Sequence, residues 1–116
     1  MNNEAKTTVL AFIDALNKDD FKAAKARVND DLTFIGVMGT RNGADAYFAD
    51  MEKMKLKYAV KNAVAEGEEV CLQYDINMGG GVSIFGIGWY SLVQGKISTF
   101  KVVFDPRPLL EKQAGN

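Results

Sequence analysis

Tyr58, Tyr74 and Asp75 are the side chains of this 116-residue sequence best placed to hold or move a proton in an apolar setting. Asp75 is the one carboxylate in the strand-like run Leu72 to Met78. Buried among apolar neighbours it would have a raised pKa and could act as a general base. On a wet strand face it is a surface charge or half of an interface ion pair. Strand parity directs it outward, and a hairpin slipped by one residue would turn it inward. A buried tyrosine hydroxyl must find a partner, so Tyr58 or Tyr74 could orient or protonate a ligand oxygen. Core packing, with the hydroxyl reaching water at the edge of the core, accounts for both rings as well. Asn62 shares the parity of Tyr58, and Trp89 brings an indole donor that core packing also explains.

Much chemistry is excluded. The sequence holds no His and one Cys, and 14 Lys plus Arg stand against 15 Asp plus Glu. A Ser-His-Asp or Cys-His nucleophile and a zinc site of the usual Cys/His kind are therefore ruled out. No metal and no cofactor are expected. Cys71 lies between Val70 and Leu72 with no cation near it in sequence, and reads as a packed, inert thiol. Gly79-Gly80-Gly81 fits no phosphate-loop pattern and sits between two strands, so it reads as a flexible hairpin. Arg41 and Arg107 could each receive a carboxylate or tie a loop to the chain around it.

The near-neutral charge argues against a nucleic-acid partner, and Lys53, Lys55, Lys57 and Lys61 read as a solvated sheet edge. No apolar run approaches the ~20 residues that span a bilayer. The polar start Met1-Asn2-Asn3-Glu4 has no signal-peptide pattern. The cytoplasm is the expected compartment, with no membrane partner.

The elements that must position these groups form one domain over residues 1–116, with no repeat or linker. Val9, Phe12, Ile13 and Leu16 recur at helical spacing and predict a helix over 4–17. Asp19-Asp20 breaks it and can cap a second helix over 20–28, burying Phe21, Ala24 and Val28. Asn29-Asp30-Asp31 reads as a turn, Leu32 to Ile35 as a short strand, and 39–43 as a loop. Ala44, Tyr47, Phe48, Met51 and Met54 stripe a third helix over 43–54. From Leu56 the period changes to two, predicting strands around Tyr58 to Val64, Val70 to Ile76, 82–93 and 96–104. Helices first and an antiparallel meander last give an α+β fold, with helices on one face of a curved sheet.

A two-residue turn at Gln94-Gly95 sets Val93 opposite Lys96. An unbroken ladder then pairs Trp89 with Phe100, Ile87 with Val102 and Phe85 with Phe104, all on one face. That aromatic face is expected against the helices. Phe12, Phe34, Phe48, Met51, Tyr58, Tyr74, Trp89, Phe100 and Phe104 then converge on a core or a lined ligand pocket. The opposite face, with Ile84, Tyr90, Leu92, Ile97 and Val103, is still half apolar. It is expected to meet a second copy in a symmetric dimer.

The order of elements, together with Phe12-Ile13-Asp14-Ala15-Leu16, Asp30-Asp31-Leu32-Thr33-Phe34, Arg41-Asn42-Gly43 and Gly95-Lys96-Ile97-Ser98 leading to Val103-Phe104-Asp105-Pro106, resembles the NTF2-like superfamily in its SnoaL-like, ketosteroid-isomerase-like branch. The resemblance implies a cystatin-like α+β cone of curved antiparallel sheet closed by three helices, usually in homodimers. It does not choose an activity, because this fold hosts enzymes as well as binding and assembly modules. The isomerase positions for a helix-borne Tyr, a general-base Asp and a protonated Asp correspond to Phe12, Gly36 and Ile87, all nonpolar here. Proton abstraction beside a carbonyl needs a base and oxyanion donors, so the resemblance implies that this machinery is gone while the wall at Phe100 and Phe104 remains. The expectation is a dimeric, cofactor-free binder of a small apolar or aromatic molecule. An isomerase, cyclase or lyase using Tyr58, Tyr74 or Asp75, and a non-catalytic dimeric assembly module, are the alternatives.

Overall fold

A computed structural model describes residues 3–37, 39–108 and 110. Helix α1 spans Glu4–Asn17 and begins where the Asn3 side chain accepts a hydrogen bond from the Lys6 amide. Its apolar stripe, Val9, Phe12, Ile13 and Leu16, is buried, as the spacing predicts. Asp20 caps α2, Phe21–Lys25, by accepting from the Ala23 amide. The strands and third helix follow as β1 (Val28–Gly36), β2 (Gly39–Asn42), α3 (Ala44–Met54), β3 (Lys57–Glu66), β4 (Glu69–Gly79), β5 (Val82–Val93) and β6 (Lys96–Phe104). One six-stranded sheet runs β2-β1-β6-β5-β4-β3. The β1–β6 junction is parallel and the others are antiparallel.

Four local expectations are corrected. The second helix ends at Lys25 rather than 28, and Asn29-Asp30-Asp31 lies in β1 rather than in a turn. Partners distant in sequence explain both: Val28 pairs with Ile97, the Ile97 amide donates to the Arg27 carbonyl, and the Asn29 side chain donates to the Val93 carbonyl. The loop expected over 39–43 is the short edge strand β2, pairing Thr33 with Asn42 through Gly36 with Gly39. Met54, placed on the buried stripe of α3, is half exposed on the last turn of that helix.

The largest correction concerns faces. Gln94 and Gly95 both take positive φ, 53° and 79°, and Val93 does pair with Lys96. Leu92 pairs with Ile97, but Ser91 then pairs with Thr99. The extra residue, Ser98, is a β-bulge, and one inserted residue turns the remaining partners over. Tyr90 therefore faces Phe100, and Trp89 faces Lys101. Tyr90, Leu92 and Ile97 are buried in the core with the helices and Ile84 is buried on the same strand parity, whereas Phe85, Trp89 and Val103 are more than half exposed on the outer face. Phe100, Val102 and Phe104 keep the inward placement that parity gave them.

A second irregularity between Val60 and Asn62 turns Asn62 outward and Ala63 and Ala65 toward the core. The core centres on Phe12, whose ring lies 5.8–6.4 Å from those of Tyr47, Phe48, Tyr90 and Phe100.

Candidate functional site

The open end of the cone lies between the β1–β2 hairpin, the end of α3 and the ends of β4 and β6. Two adjoining spaces occupy it. The deeper chamber, about 80 Å³, is lined by Phe12, Phe34, Tyr47, Met51, Tyr58, Tyr74, Tyr90, Phe100 and Phe104 among others. The outer groove, about 430 Å³, lies over Phe34, Leu56, Met78 and Phe104 and carries Arg41, Asp50 and Lys53 on its rim. Phe34, Asp50, Met54, Leu56, Met78 and Phe104 line both.

The chain's four tyrosines all turn into the deeper chamber. The Tyr74 and Tyr90 hydroxyls are 2.9 Å apart in the buried interior. The Tyr58 ring centroid stands 5.0 Å from that of Tyr74. Burial raises the pKa of all four above the ordinary phenol value, so they are protonated at neutral pH. A hydroxyl pair has two protons and needs one for its shared bond. The Tyr74–Tyr90 pair therefore keeps one proton beyond its shared bond.

Glycine makes room for this arrangement. A Cβ at Gly88 would stand 2.4 Å from the Tyr74 hydroxyl and 2.8 Å from that of Tyr90. Tyr58 is set in place by Asn17 at the end of α1, whose side chain donates to the Tyr58 carbonyl at 2.9 Å and accepts from its amide at 2.7 Å. An ion pair between Lys57 and Asp19 fastens the same corner.

The other predicted residues fall as follows. Phe48 is buried in the core beside Phe12 rather than on the chamber wall, and Trp89 is on the outer face, donating from Nε1 to Glu69 at 2.7 Å. Asp75 also points outward, opposite Phe85, 3.7 Å from the Lys61 ammonium. It cannot act as a base inside the cone. Cys71 lies half-buried in the strand row that pairs with Trp89. Arg107 is held by Asp105 next to it. Arg41 ties β2 to α3, its Nε 2.7 Å from Asp50.

The three positions matched to the isomerase residues need one revision. Phe12 is fully buried, and a Cβ on Gly36 would come within 2.9 Å of the Phe34 ring. Ile87 pairs with Val103 on the outer face, so the inward positions near it are Gly86 and Gly88. An acid at 88 would collide with the tyrosine pair.

Sequence reasoning missed Asp50, the one carboxylate lining either space among the described residues. It lies three residues after Tyr47 and four before Met54, on the same helical stripe, and that spacing was the available signal. Tyr90 was missed because the bulge at Ser98 leaves no mark in an alternating pattern. Among the described residues, no three His, Cys, Asp or Glu side chains gather as metal ligands do. No helix among them is long and apolar enough to cross a membrane.

A cone of this topology, with helices over its inner face and a cleft at one end, defines a known class. The SnoaL-like domain model matches residues 9–100, and the chain belongs to that family, within the NTF2-like superfamily. An NTF2-like protein of unknown function from Cytophaga hutchinsonii is 49% identical and superposes with a TM-score of 0.89, over 95% of this chain and 97% of the other. A protein from Kribbella flavida is 25% identical with a TM-score of 0.88, over 98% and 97%. An LEH-like epoxide hydrolase of M. tuberculosis, 23% identical with a TM-score of 0.76 over 97% of each chain, shares the fold. No curated protein matches the sequence.

Proposed function

We propose that this protein binds a small apolar or aromatic molecule at the mouth of the cone, with its tip toward the tyrosine hydroxyls. The observation that carries this reading is the groove of about 430 Å³, floored by apolar side chains and adjoining a chamber lined by four protonated tyrosines. The chamber alone, at about 80 Å³, is smaller than the roughly 150 Å³ that accepts benzene. The bulk of a ligand therefore sits in the groove, and only a small group reaches the hydroxyls. The acid/base residues of steroid isomerisation have no counterpart in the cone.

One observation supports a second reading. Asp50 borders the chamber, so an isomerase, cyclase or lyase could pair it as base with Tyr58 or Tyr74 as acid. The Arg41 guanidinium already occupies that carboxylate, which favours binding over catalysis.

Isothermal titration with lipophilic ketones and substituted benzenes tests the binding reading, alongside Met54→Trp. Met54 is half exposed and borders both spaces, so the larger ring narrows the mouth without entering the core. Binding to the natural protein and about tenfold weaker binding to the variant are expected, a loss of ~1.4 kcal/mol. Equal affinity would place the ligand elsewhere.

We also infer a homodimer through the outer sheet face, where Phe85, Trp89 and Val103 are exposed together. Light scattering should give twice the chain mass for the natural protein and the chain mass for Trp89→Asp. A Trp89→Asp protein that stays dimeric moves the interface off this face.

A further inference from the structure

The rim of the mouth groove carries more positive than negative charge. Arg41 and Lys53 line it, and Asp50 is the one acidic residue beside them among the described residues. The charges are unequally engaged. Asp50 accepts from Arg41 Nε at 2.7 Å, and Arg41 Nη1 donates to the Thr40 carbonyl at 3.2 Å. Arg41 Nη2 and the Lys53 ammonium have no protein partner among the described residues. Directly below this rim the groove is apolar, with Phe34, Leu56, Met78 and Phe104. One uncompensated positive charge thus stands over a greasy floor.

From this juxtaposition we propose that the ligand is an amphipathic monocarboxylate, its apolar body in the groove and its carboxylate bridging Arg41 and Lys53. The inference rests on the binding site proposed above and names the chemistry it selects. A carboxylate completes the charge balance of the rim. It accepts from Arg41 Nη2, the guanidinium nitrogen without a protein partner, and from the ammonium. Asp50 through Nε and the Thr40 carbonyl through Nη1 hold the guanidinium plane in place and leave Nη2 to the ligand. A cationic ligand would meet two like charges, and a neutral one would leave the donors to water.

Octanoate, octanol and octanamide separate the contributions. Their chains are alike, so the apolar floor treats them alike, and only the head group differs. Titration calorimetry at low salt should show octanoate binding about tenfold tighter than octanol, as one charge-assisted contact gives. That preference should shrink at high ionic strength, because the rim is exposed. Lys53→Glu should abolish the preference, read as the ratio of octanoate to octanol affinity within the same variant. Lys53 lies exposed on α3 and makes no ion pair among the described residues, so the variant should fold as the natural chain does. Arg41→Gln should act in the same direction, and amide chemical shifts at Gly39 and Lys53 should report the site directly. If octanol binds and octanoate binds no tighter, this inference fails and the binding reading stands. The same holds if the preference survives both variants. If none of the three probes binds, and no ketone or benzene does either, both fail.

Discussion

The two faces of β4, β5 and β6 are built from the same strands and differ in almost every physical respect. On the inner face, Leu72, Tyr74, Ile76, Tyr90, Phe100 and Val102 are buried. Their polar atoms are paired with each other, and Gly88 clears the space for the Tyr74–Tyr90 bond. On the outer face, Phe85, Trp89 and Val103 stand in water beside Asp75, Lys61 and Glu69. Neither hydrophobicity nor aromatic content tells the faces apart, since both carry large apolar rings. What separates them is whether the paired polar atoms are buried and whether backbone has been trimmed to fit. A face closed in this way behaves as interior and tolerates little change. A face left open is available for a partner.

The largest consequence appears at high pH. All four tyrosines lie on the inner side, and burial raises the pKa of each. Above the ordinary phenol value near 10, the unfolded chain releases protons that the folded chain retains. The folded state then binds more protons than the unfolded one, so stability falls as pH rises beyond that value. The expected outcome is a phenolate absorbance that stays flat through the usual tyrosine range and then rises together with loss of circular dichroism. Phenolate forming near pH 10 in a chain that remains folded would place at least one ring in water.

A smaller effect compares neighbours on opposite faces. Gly88→Ala puts a methyl group against the Tyr74 and Tyr90 hydroxyls, and overpacking of this kind costs about 1–3 kcal/mol. Ile87→Ala, one residue away on the outer face, removes a half-exposed side chain and should cost about 1 kcal/mol or less. Urea unfolding of the two variants checks the order. An Ile87→Ala protein less stable than Gly88→Ala would mean that the tyrosine pair is not close-packed.

How far this contrast is legible in the sequence depends on the kind of signal. The helical stripe Val9, Phe12, Ile13 and Leu16 and the alternation Val70, Leu72, Tyr74 and Ile76 reflect burial directly, and both elements were placed correctly from them. So was the turn at Gln94-Gly95. The bulge at Ser98 has no comparable signature, because Trp89 and Tyr90 are both large aromatics and either parity leaves an apolar face inside. The inner face therefore could not be assigned from local pattern alone. The strand character of Asn29 to Asp31 was hidden for a related reason. Their residue types favour turns, and pairing with β6, nearly seventy residues away, overrides that preference. Asp50 differs again: its spacing was visible, but a carboxylate on an apolar stripe looks like a solvated flank until the cleft it borders is known.

The smallest expected effect sharpens the outer side of the comparison. Trp89 Nε1 and Ser91 Oγ both donate to the same Glu69 oxygen at 2.7 Å. Those two hydrogen bonds hold the Glu69 carboxyl below its ordinary value of 4.5. Because the folded value is the lower one, the contribution to stability is present above pH 4.5. It is lost as pH falls through the folded value. The group is exposed, so solvent screens the interaction and the change in stability is slight. It is still readable, since Trp89 is the chain's single tryptophan. Its emission should titrate with a midpoint below 4.5, and Ser91→Ala should move that midpoint upward. Trp89 emission that does not respond to acid, or a midpoint unmoved in Ser91→Ala, would show that the outer face lacks even this local order. Trp89 would then be held there by a partner or by nothing at all.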